Sequence, residues 1–331
     1  MKKLFYTLFI CSFVFVATPA FAKSESIFYY FPNEEGYESL QENYRDIDIF
    51  APQTYTVGYD LRLMDRTGNQ AHEFARKKRM DVMPLVIQAN FDKALMTRLL
   101  KDEDAQEDLI DDLIDEAKDN RYIGWQFDFE NINYLDRDAY VDFVEKASKE
   151  FKKKRLEFSV AVIPSTVPFD PYALTQDWSS GYDIEAIGEH VDFISLMSYD
   201  DPRSTGPVSS IQYLERVVNE TLEKIDAEKI SMGIPMYCWQ YELGNPKKIA
   251  NVTYPTSYNT LEKYKDTLAI NFYSDIHEAE IFLFLKDKLN IIWCDNARSF
   301  EAKLDFIDEY DMRGFSAWAL GQEDENIWKQ L

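Results

Sequence analysis

Histidine and cysteine are scarce in this chain, three of each in 331 residues. His72, His190 and His277 lie far apart, and none has the neighbour pattern of a metal ligand. They are read as structural or exposed. Cys11, Cys238 and Cys294 match no zinc spacing either, so no metal or organic cofactor is expected. Basic residues are also few, 36 against 59 acidic, for a formal charge of −23. Nucleic acids and anionic membranes are bound by basic stripes, so the charge argues against both. It suits a neutral ligand such as a sugar polymer, and equally plain solubility. After residue 22 no apolar run approaches about 18 residues, so no integral membrane segment is expected. Low-complexity linkers are missing too. Asn219-Glu220-Thr221 and Asn251-Val252-Thr253 match the glycan-acceptor pattern and are read as chance.

Hydrophobic residues make up 46% and aromatics 15%, enough to bury a sizeable core. The first 22 residues read as a separate object. Lys2 and Lys3 precede a short apolar run from Leu4 to Val16, and Ala20-Phe21-Ala22 is a small-x-small cleavage site. This is the pattern of a signal peptide cut after Ala22, and it predicts a periplasmic or secreted product. Export permits a bridge between Cys238 and Cys294 but does not decide it against two buried thiols.

The rest of the chain alternates strand-like apolar runs with helical patterns, the signature of βαβ units. The strand candidates are Ile27–Phe31, Ile47–Thr54, Asp81–Gln88, Tyr122–Glu130, Leu156–Pro164, Val191–Tyr199, Lys229–Tyr237 and Gly314–Leu320. Eight such runs close a (β/α)8 TIM barrel, expected over 23–331. Tyr140, Phe143, Val144, Ala147 and Phe151 share one helical face. The acidic stretch from Asp102 to Lys118 reads as a solvated outer helix. Two further strand-like runs, Ala279–Leu285 and Asn290–Asp295, interrupt the last repeat. They predict a small α+β insertion at about 240–292, between the seventh and eighth strands.

The fourth strand is the most informative. Side chains on a strand alternate faces, so Gln126, Asp128 and Glu130 share one face, and Trp125, Phe127 and Phe129 the other. In a barrel the aromatic set packs under the helices and the polar set points inward. That row climbs toward the C-terminal rim, where barrel enzymes keep their active sites. Two carboxyls so close should push one pKa up and hold a proton between them, which suits a general acid. Chance acids at a solvated strand end are the bland alternative. The aromatic opposite face argues for a buried strand, where chance acids are rare.

Ile123 to Glu130 resembles the signature of glycoside hydrolase family 18, Asp-Gly-x-Asp-x-Asp-x-Glu. Gly124, Asp128 and Glu130 are in register, while Ile123 and Gln126 replace the first two acids. Met197-Ser198-Tyr199-Asp200 is similar to the motif ending that family's sixth strand. Gly233 to Tyr237, Trp293 to Ser299 and Gly314 to Gly321 resemble later segments of the same barrels. The resemblance spans nearly the whole chain after residue 22. It is closest to the branch of spore-germination and cell-wall hydrolases.

The resemblance implies a retaining hydrolase of β-1,4 bonds in N-acetylglucosamine polymers, either chitin or peptidoglycan, working by substrate assistance. Glu130 is then the acid and base. Asp128 orients the substrate's acetamido group, and Tyr199 donates to its oxygen. Trp318 floors the sugar. Met197, Asp200, Gln126, Tyr30, Asn90 and Tyr237 are the expected substrate contacts. The expected partner is an N-acetylated polysaccharide or oligosaccharide, met by a monomer. A catalytically silent glycan-binding barrel is the chief alternative, although such relatives commonly lose the glutamate. An interaction scaffold docking through the insertion is a third reading, and it predicts an exposed apolar patch there.

Overall fold

The computed structural model describes residues 24–65, 69–164 and 177–331. The expected leader, 1–22, lies outside them. Fifteen strands follow in chain order. They are β1 (Glu25–Tyr30), β2 (Ile49–Val57), β3 (Leu63–Asp65), β4 (Asp81–Val82), β5 (Leu85–Gln88), β6 (Gly124–Phe127), β7 (Glu157–Val162), β8 (Phe193–Leu196), β9 (Ile230–Pro235), β10 (Tyr237–Glu242), β11 (Lys248–Thr253), β12 (Ala269–Ser274), β13 (Ala279–Leu285), β14 (Leu289–Cys294) and β15 (Gly314–Trp318).

Eight of them pair in parallel in the order β1-β15-β9-β8-β7-β6-β5-β2, and β1 pairs with β2 to close the ring. This is the expected (β/α)8 barrel, with helices between successive strands. Each of the eight expected runs overlaps one of these strands, although β1 begins two residues earlier, at Glu25, and β2 runs three residues further, to Val57. The third is broken at Met83-Pro84 into β4 and β5, because proline cannot donate to a ladder.

The two faces of the ring are chemically distinct. Ile27, Tyr29, Ile49, Ala51, Met83, Leu85 and Phe193 cluster inside it. Phe28, Tyr30, Phe50, Val86 and Trp125 join the larger core beneath the helices. There Phe127 stacks on Phe143 and meets Phe151 and Phe158 edge-on. Each fully buried aromatic contributes on the order of 2 kcal/mol. The helix Arg137–Lys154 buries the predicted stripe, Tyr140, Phe143, Val144, Ala147 and Phe151. Gly124 is required by close approach, since a Cβ there would sit 1.9 Å from the Glu157 carbonyl oxygen.

Between β9 and the helix Ala297–Glu309 the chain forms an antiparallel sheet in the order β11-β10-β14-β13-β12. The helix Tyr254–Tyr264 covers one face of it, over Cys238, Phe282, Phe284, Ile292 and Cys294. A Cys238–Cys294 disulfide joins the paired neighbours β10 and β14. No helix among the described residues is long and apolar enough to cross a membrane.

Candidate active site

The C-terminal ends of the barrel strands surround a cleft of about 580 Å³. Asp128 and Glu130 enter it just past β6, where the ladder is still tethered by Asp128 N–H donating to the Val86 carbonyl at 2.9 Å. The aromatic face of the same strand is sealed against the helices, so the acids can only point inward.

Burial dominates their electrostatics. It raises the pKa of Asp128, with a small opposing pull from Gln53, whose Nε2 donates to Asp128 Oδ2 at 3.4 Å. Burial raises Glu130 further, and the charges of Asp128 and Asp200 add to the push. Among the described residues no side chain hydrogen-bonds the Glu130 carboxyl. The pair therefore titrates together, and the proton is held most tightly on Glu130.

Around these acids the cleft is lined by Met197, Tyr199, Asp200, Tyr237 and Trp318. Tyr199 and Tyr237 meet edge-on at 6.4 Å, and burial holds both phenols well above their ordinary pKa. Both hydroxyls therefore stay protonated and can donate. Asp200 sits at φ 59 and is raised by burial, offset in part by Tyr237 and the charge of Lys248. Trp318 packs against Tyr29 at 5.4 Å and is followed by a cis peptide bond to Ala319.

Below the acids lies a neutral layer. Gln126 Oε1 accepts from the Tyr29 hydroxyl at 2.7 Å, and its Nε2 donates to Ser159 at 2.8 Å and Ser195 at 2.9 Å. Ser195 and Ser231 both reach the Ser316 hydroxyl, at 2.8 and 2.5 Å.

Seven of the ten expected site residues thus meet in one cleft, and three do not line it. Tyr30 faces outward into the helical core, tilted on Phe50, so the expected cleft contact falls to its neighbour Tyr29. The correction is one of strand parity. Asn90 lies past the end of β5 at φ 57 and donates to the Tyr59 hydroxyl at 3.2 Å instead. Gln126 is inward but one layer too deep to reach the cleft. Conversely, Tyr29, Gln53, Phe31, Phe91 and Trp178 line the cleft without having been singled out.

The described residues hold no cluster of His, Cys, Asp or Glu able to bind a metal ion. His72 is half-buried, its pKa lowered to about 4 by desolvation. It lies within hydrogen-bond distance of the Thr54 and Tyr122 hydroxyls, a structural role.

Residues 8–323 match the model of the family described as glycosyl hydrolases family 18. The Bacillus subtilis protein described as an uncharacterized glycosylase, YvbX, is 26% identical over 330 residues, covering 97% of this chain and 94% of that one. The cortical fragment-lytic enzyme of Bacillus subtilis is 30% identical over 247 residues, covering 70% of this chain but 54% of that one. Among solved structures, the spore cortex-lytic enzyme SleL of Bacillus megaterium QM B1551 superposes with a TM-score of 0.82 at 23% identity. That match covers 95% of this chain and 74% of SleL. A chitinase from Chromobacterium violaceum ATCC 12472 gives 0.82 at 22%, over 92% of this chain and 97% of that one. At such identities the structural likeness speaks for the fold alone.

Proposed function

Given that the chain belongs to family 18 of the glycosyl hydrolases and is therefore a glycoside hydrolase, we propose that it cleaves β-1,4 bonds in N-acetylglucosamine polymers with retention. Peptidoglycan and chitin are the two substrates proposed. The names of the cortical fragment-lytic relative and of the chitinase neighbour support that choice. The signal-like residues 1–22 support action outside the cytoplasm. The observation that carries the proposal is the acid pair, two carboxyls raised by burial at the floor of an aromatic-walled cleft.

These positions support the following chemistry. Glu130, protonated, gives its proton to the glycosidic oxygen as the bond to the anomeric carbon breaks. The substrate's own acetamido oxygen bonds to that carbon and forms an oxazolinium ion. Asp128, ionised, accepts the acetamido N–H and balances the positive charge. Tyr199 donates to the acetamido oxygen. Trp318 supplies an apolar floor. Glu130, now a carboxylate, removes a proton from water as it attacks the anomeric carbon. The ring opens, the acetamido group is restored, and the configuration is retained.

Mass spectrometry of products from chito-oligosaccharides and from purified peptidoglycan tests this. New reducing ends at N-acetylglucosamine are expected from the wild type. Glu130→Gln should lower turnover by about 10³-fold while sugar binding persists, the usual scale for a lost acid–base group. Binding without products from the wild type would move the protein to the silent-barrel reading.

A further inference from the structure

Glu130 carries the proposed chemistry, yet the strand that bears it ends three residues earlier, at Phe127. The parallel ladder between β5 and β6 runs through Gln126 N–H to the Pro84 carbonyl, 3.1 Å, and Asp128 N–H to the Val86 carbonyl, 2.9 Å. The next rung would be Glu130 N–H to the Gln88 carbonyl. It is not made. Past Gln88 the chain turns away, with Asn90 and Phe91 at φ 57 and 50, so the two strands part at the rim.

The Gln88 side chain fills that gap. Its Oε1 accepts from Glu130 N–H at 3.2 Å, and its Nε2 donates to the Glu130 carbonyl. A side-chain amide thus stands in for a peptide group and grips both polar atoms of one residue's backbone. Gln88 is fully buried and does not line the cleft, so it is placed to act through Glu130 and not on a sugar. Neighbouring backbone is tied the same way. Tyr182 donates to the Phe129 carbonyl at 2.8 Å, and Asn131 Nδ2 to the Phe91 carbonyl at 3.1 Å.

We propose that Gln88 is a positioning residue for Glu130, a buried amide clamp that fixes the acid where β5 and β6 diverge. The inference rests on Glu130 being the proposed acid. A splayed rim leaves room for a sugar, and it would leave Glu130 on free backbone. A displacement of about 1 Å at a reacting group can cost about 10²-fold in rate. Two hydrogen bonds from one rigid side chain remove that freedom.

The test uses two substitutions in the full protein. Gln88→Met keeps the volume and removes both bonds. Gln88→Glu keeps the shape and presents the same donor and acceptor only while its carboxyl is protonated. For Gln88→Met, kcat on a chito-oligosaccharide should fall by about 10- to 100-fold, with KM within about threefold of wild type. For Gln88→Glu, activity should approach wild type at low pH and fall earlier than wild type as the new carboxyl ionises against the Glu130 carbonyl. A merely structural glutamine predicts otherwise. Yield and melting temperature would drop in Gln88→Met while kcat per folded molecule held, and the Gln88→Glu profile would parallel wild type. Either result overturns the clamp. If Gln88→Met does not fold, the Gln88→Glu profile decides alone. Glu130→Gln run alongside separates the two claims. Full activity there refutes the acid itself, whereas an inactive Glu130→Gln beside a normal pair of Gln88 variants refutes only the clamp.

Discussion

Two layers of polar side chains sit one above the other inside the barrel, and they are built on opposite terms. The lower one, Gln126 with Tyr29, Ser159, Ser195, Ser231 and Ser316, carries no charge and joins its members by hydrogen bonds of 2.5 to 2.9 Å. The upper one, Asp128 and Glu130, is acidic, pushed toward protonation by burial and poor in partners, Asp128 accepting only from Gln53 at 3.4 Å among the described side chains. A closed neutral network inside a core stabilises it, whereas buried carboxyls short of partners cost stability. Both carboxyls face the cleft, where a sugar would bring further donors and acceptors. Strain of this kind is the mark of a site held ready for a ligand.

The sharpest way to break the contrast is to neutralise the upper layer. Asp128→Asn keeps the shape and removes one charge. Turnover should fall by about 10²-fold, since nothing then balances the developing positive charge. The pH profile carries a second sign. The Asp128 charge helps to hold the proton on Glu130, so removing it lowers the Glu130 pKa. The basic limb of kcat/KM should move to lower pH. A limb that stays put would mean the two carboxyls do not sense one another.

A smaller effect is expected from charging the lower layer. Gln126→Asp restores the acid found in the family signature, but it shortens the side chain and removes both donations to Ser159 and Ser195. The lost bonds should cost about 1–3 kcal/mol of stability, read as a fall in melting temperature. Activity should survive within about tenfold. Its acidic limb should move to higher pH, because a like charge beneath Asp128 delays its ionisation. Loss of all activity, or a pH profile identical to wild type, would refute the idea that the neutral layer tunes the pair.

How much of this was readable beforehand depended on how strictly each segment alternates. From Trp125 to Glu130 aromatic and polar residues take turns, so period two alone separates the helix-facing from the cleft-facing side. Ile27 to Phe31 offers no such contrast, being apolar at every position, and the parity of Tyr29 and Tyr30 was open. Gln53 hides for a related reason. β2 is buried along nearly its whole length, and its register shifts between Gln53 and Tyr55. Asn90 lies beyond the strand end, where a left-handed turn cancels the alternation. The disulfide needed three-dimensional register. Trp239 pairs with Trp293, which sets Cys238 against Cys294, and no spacing along the chain reveals that. Phe91 and Trp178 come from connections, where side-chain direction follows no period.

The slightest of the expected effects is thermodynamic, and it asks whether the upper layer really costs the fold. In the unfolded chain Glu130 ionises near the ordinary value of about 4.3. In the folded protein its pKa is raised, chiefly by burial. Above the unfolded value, then, the native state retains a proton that the unfolded state has released. Stability is therefore lost as pH rises from about 4.5 toward the folded pKa, and it is not lost below that window. Glutamine has no proton to retain. Glu130→Gln should melt at nearly the wild-type temperature near pH 4 and a few degrees above it by pH 7 to 8, with the gap widening in between. Calorimetric scans of both proteins across that range read the difference directly. Parallel curves at every pH would show that Glu130 ionises as freely in the native barrel as in the open chain, and the upper layer would then be no more strained than the lower.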